Sequence, residues 1–183
     1  VMATQNPIEQ EGTYPLPEAQ LDRFLMHVLV DYPDVAGERA ILALNRVEAK
    51  RSTSDEELFT PQTALKQGEV LAARQDVLKL HLSEPLEEYI VQIVLATRDS
   101  GRYGDDLQGL LQYGASPRAT IALDRCARAH AWLTGRDYVT PEDIQSVARD
   151  VLRHRILLSF EAEAAGRTPD QIVDMLLDRI GVP

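Results

Sequence analysis

The stretch SPRATIALDRCARAHAWLTG, residues 116–135, predicts a long helix with a marked beginning and end. Ser116 is a typical N-cap, and Pro117 suits the first helical position because the N–H that proline lacks would have no partner there. Small and apolar side chains recur along one face as far as Leu133, and Gly135 is a typical residue to end a helix. The stretch therefore predicts an amphipathic helix within a mainly helical domain.

Segments on both sides of this helix carry similar signals. Helical spacing and capping residues predict further helices over 38–46, over 67–78, from Ser83, from Thr140 and from Thr168 onward. Thr140 and Asp143 form a variant of the capping box, in which each side chain bonds the backbone of the other residue. Between these segments, residues 101–114 predict a glycine-rich loop, and residues 50–57 predict a mobile linker.

The first 33 residues have a different character. Their apolar runs, interrupted by proline and glycine, predict the end of a buried strand at Val1–Ala3, a loop at 7–16, a short helix at Glu18–Asp22 and a strand at Phe24–Val30. This order predicts the last part of an α/β layer. We therefore divide the chain into an α/β segment, residues 1–33, and a mainly helical domain, residues 34–183.

Two short segments of the helical domain favour β structure. Leu78–Leu82 alternates apolar and polar residues, and Ile156–Phe160 is rich in side chains that favour strands. We predict that these two segments pair with each other as a small two-stranded ladder.

Composition and charge restrict the classes of function. The 183 residues include 19 basic and 29 acidic side chains, a net charge of −10, which argues against nucleic-acid binding because phosphate backbones require a basic surface. The lone Cys126 cannot form an internal disulfide, and no apolar stretch approaches the ~20 residues of a membrane span. The histidines lack the spacing of metal ligands. We therefore expect a cytoplasmic protein with no membrane span, nucleic-acid partner or metal-binding residues.

Two residues of the α/β segment are candidates for chemistry. Asn6 follows the first predicted strand, where its amide could orient a water molecule or contact a phosphate, or could simply form a turn with Pro7. Arg23 is the one basic residue among the first 34, which contain six acidic residues. It either pairs with Asp22, which would contribute only about 0–1 kcal/mol, or presents a cation outside its segment. An arginine delivered to a transferring phosphoryl group accelerates the reaction about 10³–10⁵-fold.

Arg118 is the third candidate. It occupies the second position of the helix that follows Ser116, where free N–H groups and the helix dipole favour an anion. A cation there is unfavourable unless an anion such as phosphate meets it, or unless the side chain extends into solvent. We interpret the basic triplet Arg153–Arg155 as structural, with contact to a nucleotide or a neighbouring subunit as the alternative.

A phosphate-binding loop is missing from the sequence. None of the ten glycines lies in a G-x-x-x-x-G-K-[ST] pattern, whose backbone would surround a nucleotide's phosphates. No apolar strand ends in the Asp-Glu pair that would hold Mg²⁺ and activate water. We therefore expect that this chain cannot bind and hydrolyse a nucleotide unaided.

Four segments together resemble the MoxR family of AAA+ ATPases. They are ATQNP (3–7), EGTYPLPEAQLDRF (11–24), YGASPRATIAL (113–123) and GRDYVTPEDI (135–144). The resemblance covers most of the chain and is strongest over 3–33 and 113–160. It implies a mainly α fold, a helical AAA+ lid domain, preceded by the last strand, helix and strand of an α/β P-loop ATPase core.

The resemblance also implies a role for each candidate residue. Asn6 matches the sensor-1 residue, which positions the attacking water. Arg23 matches the arginine finger, which enters the nucleotide site of the adjacent subunit, and Arg118 matches the sensor-2 arginine, which reaches the nucleotide's phosphates. The cofactors, ATP and Mg²⁺, would be held mainly by a preceding segment that this chain lacks, so the chain alone would be inactive.

The implied assembly is a homo-oligomeric ring, hexameric by resemblance, that remodels or matures protein complexes, with a von Willebrand factor A-domain protein as a partner. Two alternatives remain open. A magnesium-chelatase-like AAA+ motor subunit shares the LDRF element, although YGASPRA and VLRHRILLSFEAEAAG (151–166) favour MoxR. The other alternative is a non-catalytic helical module that binds proteins.

Overall fold

The computed structural model describes residues 1–5, 16–50 and 65–183. These residues form the helices α1 (Glu18–Leu21), α2 (Val35–Lys50), α3 (Gln67–Lys79), α4 (Glu84–Arg98), α5 (Pro117–Leu133), α6 (Pro141–Leu152), α7 (Phe160–Ala164) and α8 (Pro169–Arg179). Two 3-10 turns, Ser100–Tyr103 and Asp105–Leu107, follow α4, and two short strands are β1 (Leu111–Tyr113) and β2 (Leu157–Leu158). The prediction of a mainly α fold with a small two-stranded sheet is confirmed.

The chain divides into two compact units. The larger unit comprises residues 1–27 together with 76–183, and the smaller unit comprises residues 28–75. The division at residue 33 into an α/β segment and a helical domain stays a prediction. The helix predicted over 38–46 is present as the longer α2, whereas the predicted linker (50–57) and loop (7–16) lie almost wholly outside the described residues.

The core of the larger unit lies among α4, α5, α6 and α8. Each helix contributes apolar side chains that are completely buried: Ile93 from α4, Leu123 from α5, Ile144 from α6 and Ile172 from α8. Burying one such side chain contributes about 1.5–3 kcal/mol, so these four helices hold each other firmly. None of the helices in the described ranges is both long enough and apolar enough to cross a membrane.

The predicted starts of α5, α6 and α8 are confirmed by their capping geometry. The Ser116 hydroxyl accepts a hydrogen bond from the Arg118 N–H at 3.2 Å, and Thr140 forms the predicted capping box with Asp143. Gly135 has a φ of 78°, the left-handed conformation that commonly ends a helix. The beginning of α5, and with it Arg118, is therefore set by local sequence.

The small sheet pairs differently from the prediction. β1 and β2 are antiparallel, with Leu111 opposite Leu158. The prediction of a strand within 156–160 is confirmed, but its predicted partner, Leu78–Leu82, is wrong. That segment contains the end of α3, and its His81 makes only an isolated bridge with Tyr138. Alternation over five residues is too short to distinguish a strand from the end of a helix.

The two strands predicted in residues 1–33 are absent from the described structure, although the short helix is present as α1. Val1–Ala3 are exposed and irregular, and Phe24–Val30 join no sheet among the described residues. A strand forms only where a neighbour bonds its N–H and C=O groups. Here several carbonyls of residues 22–27 accept hydrogen bonds from the side chains of the triplet Arg153–Arg155 instead.

Asp143 links the end of α5 to the start of α6. Its side chain is completely buried, and its oxygens lie 2.6 Å from Arg136 and from His130 and 2.8 Å from the Thr140 N–H. Burial by itself would raise the pKa of Asp143, but the hydrogen bonds from these partners hold it well below its usual range. The carboxylate is therefore charged and fully partnered.

We expect Asp143→Ala to lower the free energy of unfolding by about 3 kcal/mol, because Arg136 and the Thr140 N–H lose their buried acceptor. Asp174→Ala is the matched control. Asp174 pairs with Arg149 at 2.6 Å, but both side chains are exposed, so its loss should lower the free energy of unfolding by less than about 1 kcal/mol. Urea unfolding monitored by circular dichroism measures both values, and equal losses would contradict the role assigned to Asp143.

Candidate functional site

The structure places two of the three predicted site residues close together. Asn6 lies outside the described residues, so its role stays a prediction. Arg23 and Arg118 both belong to the larger unit. Arg23 directly follows Asp22, and the Asp22 carboxylate contacts Arg118. The fold therefore brings the two predicted arginines to one region, which we call the Asp22 site (Asp22, Arg23, Ser116, Arg118 and Arg155).

Arg23 lies in the turn that follows α1, and its side chain is exposed. Its N–H donates to the Gln20 carbonyl at 3.1 Å, which holds the turn. Of the two interpretations left open by the sequence, a local pair with Asp22 is not observed. Asp22 instead pairs with Arg118 and Arg155, from a distant part of the chain.

Arg118 lies in the first turn of α5, at the helix N-terminus. Its Nη1 lies 2.8 Å from Asp22 Oδ2, and its side chain is 56% exposed. A cation at a helix N-terminus is opposed by the helix dipole, and the Asp22 carboxylate supplies the compensating anion. Arg118 therefore does not simply extend into solvent, the alternative that the sequence left open.

Asp22 is the centre of the site, although the sequence indicated for it only a possible ion pair with Arg23. Its carboxylate accepts hydrogen bonds from the Ser116 hydroxyl at 2.9 and 3.0 Å, in addition to the bond from Arg118. Its Oδ1 also lies 3.3 Å from Arg155 Nε, an ion contact without hydrogen-bond alignment. Burial would raise the pKa of Asp22, but the bonds from Arg118 and Ser116 and the charge of Arg155 lower it overall.

Arg155 anchors the segment that carries Asp22 and Arg23. Its side chain is only 2% exposed, and it donates to the carbonyls of Asp22 and Leu25 at 3.2 Å and to those of Phe24 and Val151. Burial lowers the pKa of Arg155, whereas the nearby Asp22 carboxylate raises it. Because a buried guanidinium is stable only when its donors are satisfied, these carbonyls hold the turn after α1 in one position.

The neighbours of Arg155 extend the same attachment. Arg153 donates to the His27 carbonyl at 2.8 Å, and His154 Nε2 lies 3.2 Å from the Phe24 carbonyl. The His27 N–H in turn donates to the Asp150 carbonyl at 2.8 Å. In this chain the basic triplet Arg153–Arg155 therefore has a structural role, in agreement with the interpretation made from sequence.

Gly114 positions the start of α5 from the other side. A Cβ atom on Gly114 would lie 2.4 Å from the carbonyl oxygen of Thr97, so only glycine allows this approach to the end of α4. Immediately after it, the Ala115 N–H donates to Thr97 Oγ1 and the Ala115 carbonyl accepts from Arg98 Nε, both at 2.9 Å. These contacts hold the loop before Ser116, and thus Arg118, against the helical core.

The side chains of the Asp22 site suit an anion better than a metal ion, because three of them are arginines. Arg23 is exposed, and Arg118 is half-exposed at the positive end of the α5 dipole, an arrangement that suits an anion such as phosphate. Within residues 1–5, 16–50 and 65–183, no group of three or more His, Cys, Asp or Glu side chains could hold a metal ion.

The segments that build this site match two protein-family models. Residues 107–176 match the AAA lid domain, and residues 1–26 match the ATPase family associated with various cellular activities (AAA). Arg118 therefore lies in the lid match, and Arg23 lies in the ATPase match.

Similar proteins of known sequence agree with these models. The chain is 38% identical over its whole length to Chaperone MoxR1 of Mycobacterium tuberculosis and to the uncharacterized protein YeaC of Bacillus subtilis. Over 94% of its length it is 35% identical to Protein MoxR of Methylorubrum extorquens. It covers 46% of MoxR1 and 52% of each of the other two proteins, so it spans about half the length of the curated relatives that it matches.

A solved structure shows the same fold. A candidate ATPase from Cytophaga hutchinsonii superposes with a TM-score of 0.86 at 43% sequence identity, over 98% of this chain and 52% of that protein. The magnesium-chelatase subunit ChlI of Nicotiana tabacum is more distant, with 29% identity over 85% of this chain and 32% of that protein.

The attachment through His154 predicts a specific loss of stability in acid. Burial and the nearby Arg155 lower the pKa of His154 from an ordinary 6.5 to about 4, so the folded protein keeps this imidazole neutral while the unfolded chain protonates it. The free energy of unfolding should therefore fall as the pH is lowered from about 6.5 to about 4.

We expect His154→Gln to reduce this pH dependence, because glutamine cannot be protonated in that range and can still donate to the Phe24 carbonyl. His81→Gln is the matched control, since the His81 residue is exposed. Urea unfolding at pH 7 and pH 4.5 measures the effect. A His154→Gln protein that loses as much stability as the unsubstituted protein over this range would contradict the assignment.

Proposed function

Because the chain belongs to the MoxR family of AAA+ ATPases over the stretch that it spans, we propose that it provides the arginines and the lid of an enzyme that hydrolyses ATP in a ring. The observation that carries this proposal is the Asp22 site. There a residue of the ATPase match, Arg23, and a residue of the lid match, Arg118, lie in one region of the larger unit.

Arg118 has the position required of a residue that detects phosphate. It lies in the first turn of α5, it is half-exposed, and its one ionic contact within the described residues is with a carboxylate that a phosphate could replace. On this proposal Arg118 binds the terminal phosphates of ATP in its own subunit, as a sensor-2 arginine. The helix N-terminus adds favourable partial charge for the same anion.

The exposure of Arg23 supports a role on a neighbouring subunit. It is exposed, while the turn that carries it is held by Arg155. On this proposal Arg23 enters the nucleotide site of the adjacent subunit, as an arginine finger, and stabilises the negative charge of the transferring phosphoryl group. Asn6 would orient the attacking water, as a sensor-1 residue.

ATP and Mg²⁺ are the proposed cofactors. ATP with bound Mg²⁺ supplies the phosphoryl group and neutralises part of its charge. The cationic Asp22 site fits the phosphates, but the described residues include no carboxylate cluster that fits Mg²⁺. On this proposal, as the family resemblance implies, the magnesium ligands and a phosphate-binding loop belong to a part of the protein outside these 183 residues, and this chain alone does not hydrolyse ATP.

The proposed biological role is chaperone-like remodelling or maturation of protein complexes by a ring, hexameric as in the resemblance. It is supported by the relative named Chaperone MoxR1. A protein substrate and a von Willebrand factor A-domain partner complete the proposal. A magnesium-chelatase-like motor is less favoured, because the match to ChlI has lower identity and covers less of the chain.

We expect Arg23→Ala in the full-length protein to reduce the rate of ATP hydrolysis about 10³-fold and to leave nucleotide affinity nearly unchanged, because the residue acts on a neighbour's transition state. Arg74→Ala, at an exposed position of α3, is the matched control and should keep full activity. Phosphate release and nucleotide titration measure the two properties. Normal hydrolysis by the Arg23→Ala protein would refute the role proposed for Arg23.

Mixed rings test whether Arg23 acts between subunits. Arg23→Ala and Arg118→Ala proteins should each be nearly inactive, because one lacks the finger and the other lacks the phosphate contact. When they are mixed, an Arg23→Ala subunit keeps its own nucleotide site and receives Arg23 from an Arg118→Ala neighbour. Hydrolysis should therefore recover above that of either variant alone, whereas no recovery would show that both arginines serve the same subunit's site.

A further inference from the structure

The Asp22 carboxylate is shared by three side chains that differ in how firmly they are held. Ser116 donates to it at 2.9 Å, Arg118 at 2.8 Å, and Arg155 contacts it at 3.3 Å. The Asp22 side chain is 17% exposed, so solvent reaches one side of this group. The carboxylate thus faces one guanidinium in the interior and another at the surface.

Arg155 cannot readily leave this carboxylate. It is buried, and its other donors are bonded to backbone carbonyls of residues 22–25 and of Val151. Removing it from these acceptors would leave several buried polar groups without partners, which is unfavourable. The contact between Arg155 and Asp22 is therefore a permanent part of the fold.

Arg118 can leave the carboxylate much more easily. Its side chain is 56% exposed, and the contact with Asp22 is the one ion pair and the one side-chain hydrogen bond recorded for it in the described part of the chain. An exposed pair of this kind contributes little free energy, so a more highly charged anion can displace Asp22. The positive end of the α5 dipole favours such an anion beside Arg118.

We propose that Asp22 is a positioning residue that holds Arg118 in a resting ion pair and yields it to the terminal phosphates of a bound nucleotide. Arg155 keeps Asp22 in place throughout. Because Asp22 directly precedes Arg23, the exchange changes the charge next to the residue proposed to act on the adjacent subunit. This inference rests on the proposed function, in which Arg118 contacts phosphate.

Nucleotide affinity tests the competition. In the full-length protein, Asp22→Asn should bind N-methylanthraniloyl-ATP about two- to fivefold more tightly than the unsubstituted protein, the equivalent of one exposed ion pair removed from competition. Asparagine keeps an oxygen that can accept from Ser116 and face Arg155. The Arg118→Ala protein should bind the same nucleotide more weakly.

The double variant separates this inference from the proposed function. In the Arg118→Ala background, Asp22→Asn should leave affinity for N-methylanthraniloyl-ATP unchanged, because no cation remains to be released. If Arg118→Ala weakens binding while Asp22→Asn leaves it unchanged or weakens it too, the resting pair is refuted and the phosphate contact of Arg118 stands. If Arg118→Ala binds normally, the phosphate contact fails, and the competition fails with it.

A measurement on the unsubstituted protein covers the case in which Asp22→Asn does not fold. The side-chain Nε resonances of arginine, assigned by NMR with the help of Arg118→Lys, report the surroundings of each guanidinium. A non-hydrolysable ATP analogue should shift the Arg118 resonance and leave that of Arg155 in place, and AMP should shift neither. No shift of Arg118 at saturating analogue, or equal shifts of both arginines, would overturn the proposal.

Discussion

The attachment of residues 22–25 to the helical core depends on one buried cation, Arg155. Arg155, which follows α6, would be strongly destabilising without partners, and its partners come from the turn after α1 and from Val151 near the end of α6. Arg155 donates to backbone carbonyls of the turn after α1 the hydrogen bonds that a neighbouring strand would otherwise supply. A single side chain thereby attaches residues 22–25 to the helical core and fixes the positions of Asp22 and Arg23.

The second arginine of the site is placed by backbone geometry rather than by burial. The close approach of Gly114 to Thr97 and the Ser116 cap determine where α5 begins, and Arg118 lies in its first turn. The dipole of α5 disfavours a cation there, so Arg118 requires a compensating anion beside it. In this structure Asp22 is that anion. The Asp22 carboxylate, rather than a direct contact between Arg23 and Arg118, therefore joins the turn after α1 to the start of α5.

These two modes of attachment fit the different roles proposed for Arg23 and Arg118. An arginine that acts on an adjacent subunit must project from a fixed base, and Arg155 supplies the base for Arg23. An arginine that detects phosphate must be able to exchange one anion for another, and the half-exposed Arg118 can do so. Arg155 is held firmly and Arg118 weakly because the two side chains differ in exposure. Solvent screens the ion pair of Arg118 far more than the contacts of Arg155.

The sequence by itself determined most of the helices and the limits of those with clear signals, because caps such as Ser116 and Thr140, the terminating Gly135 and the spacing of apolar residues act over a few positions. It also indicated Arg23 and Arg118, through charge that is unusual for its local position and through family resemblance. It did not indicate that β2 pairs with β1, or that Phe24–Val30 join no sheet among the described residues. Both outcomes depend on which distant backbone groups are available. The tertiary structure alone decided that Asp22 meets Arg118, 96 residues away, because a carboxylate pairs with whatever cation the packing of helices brings within reach.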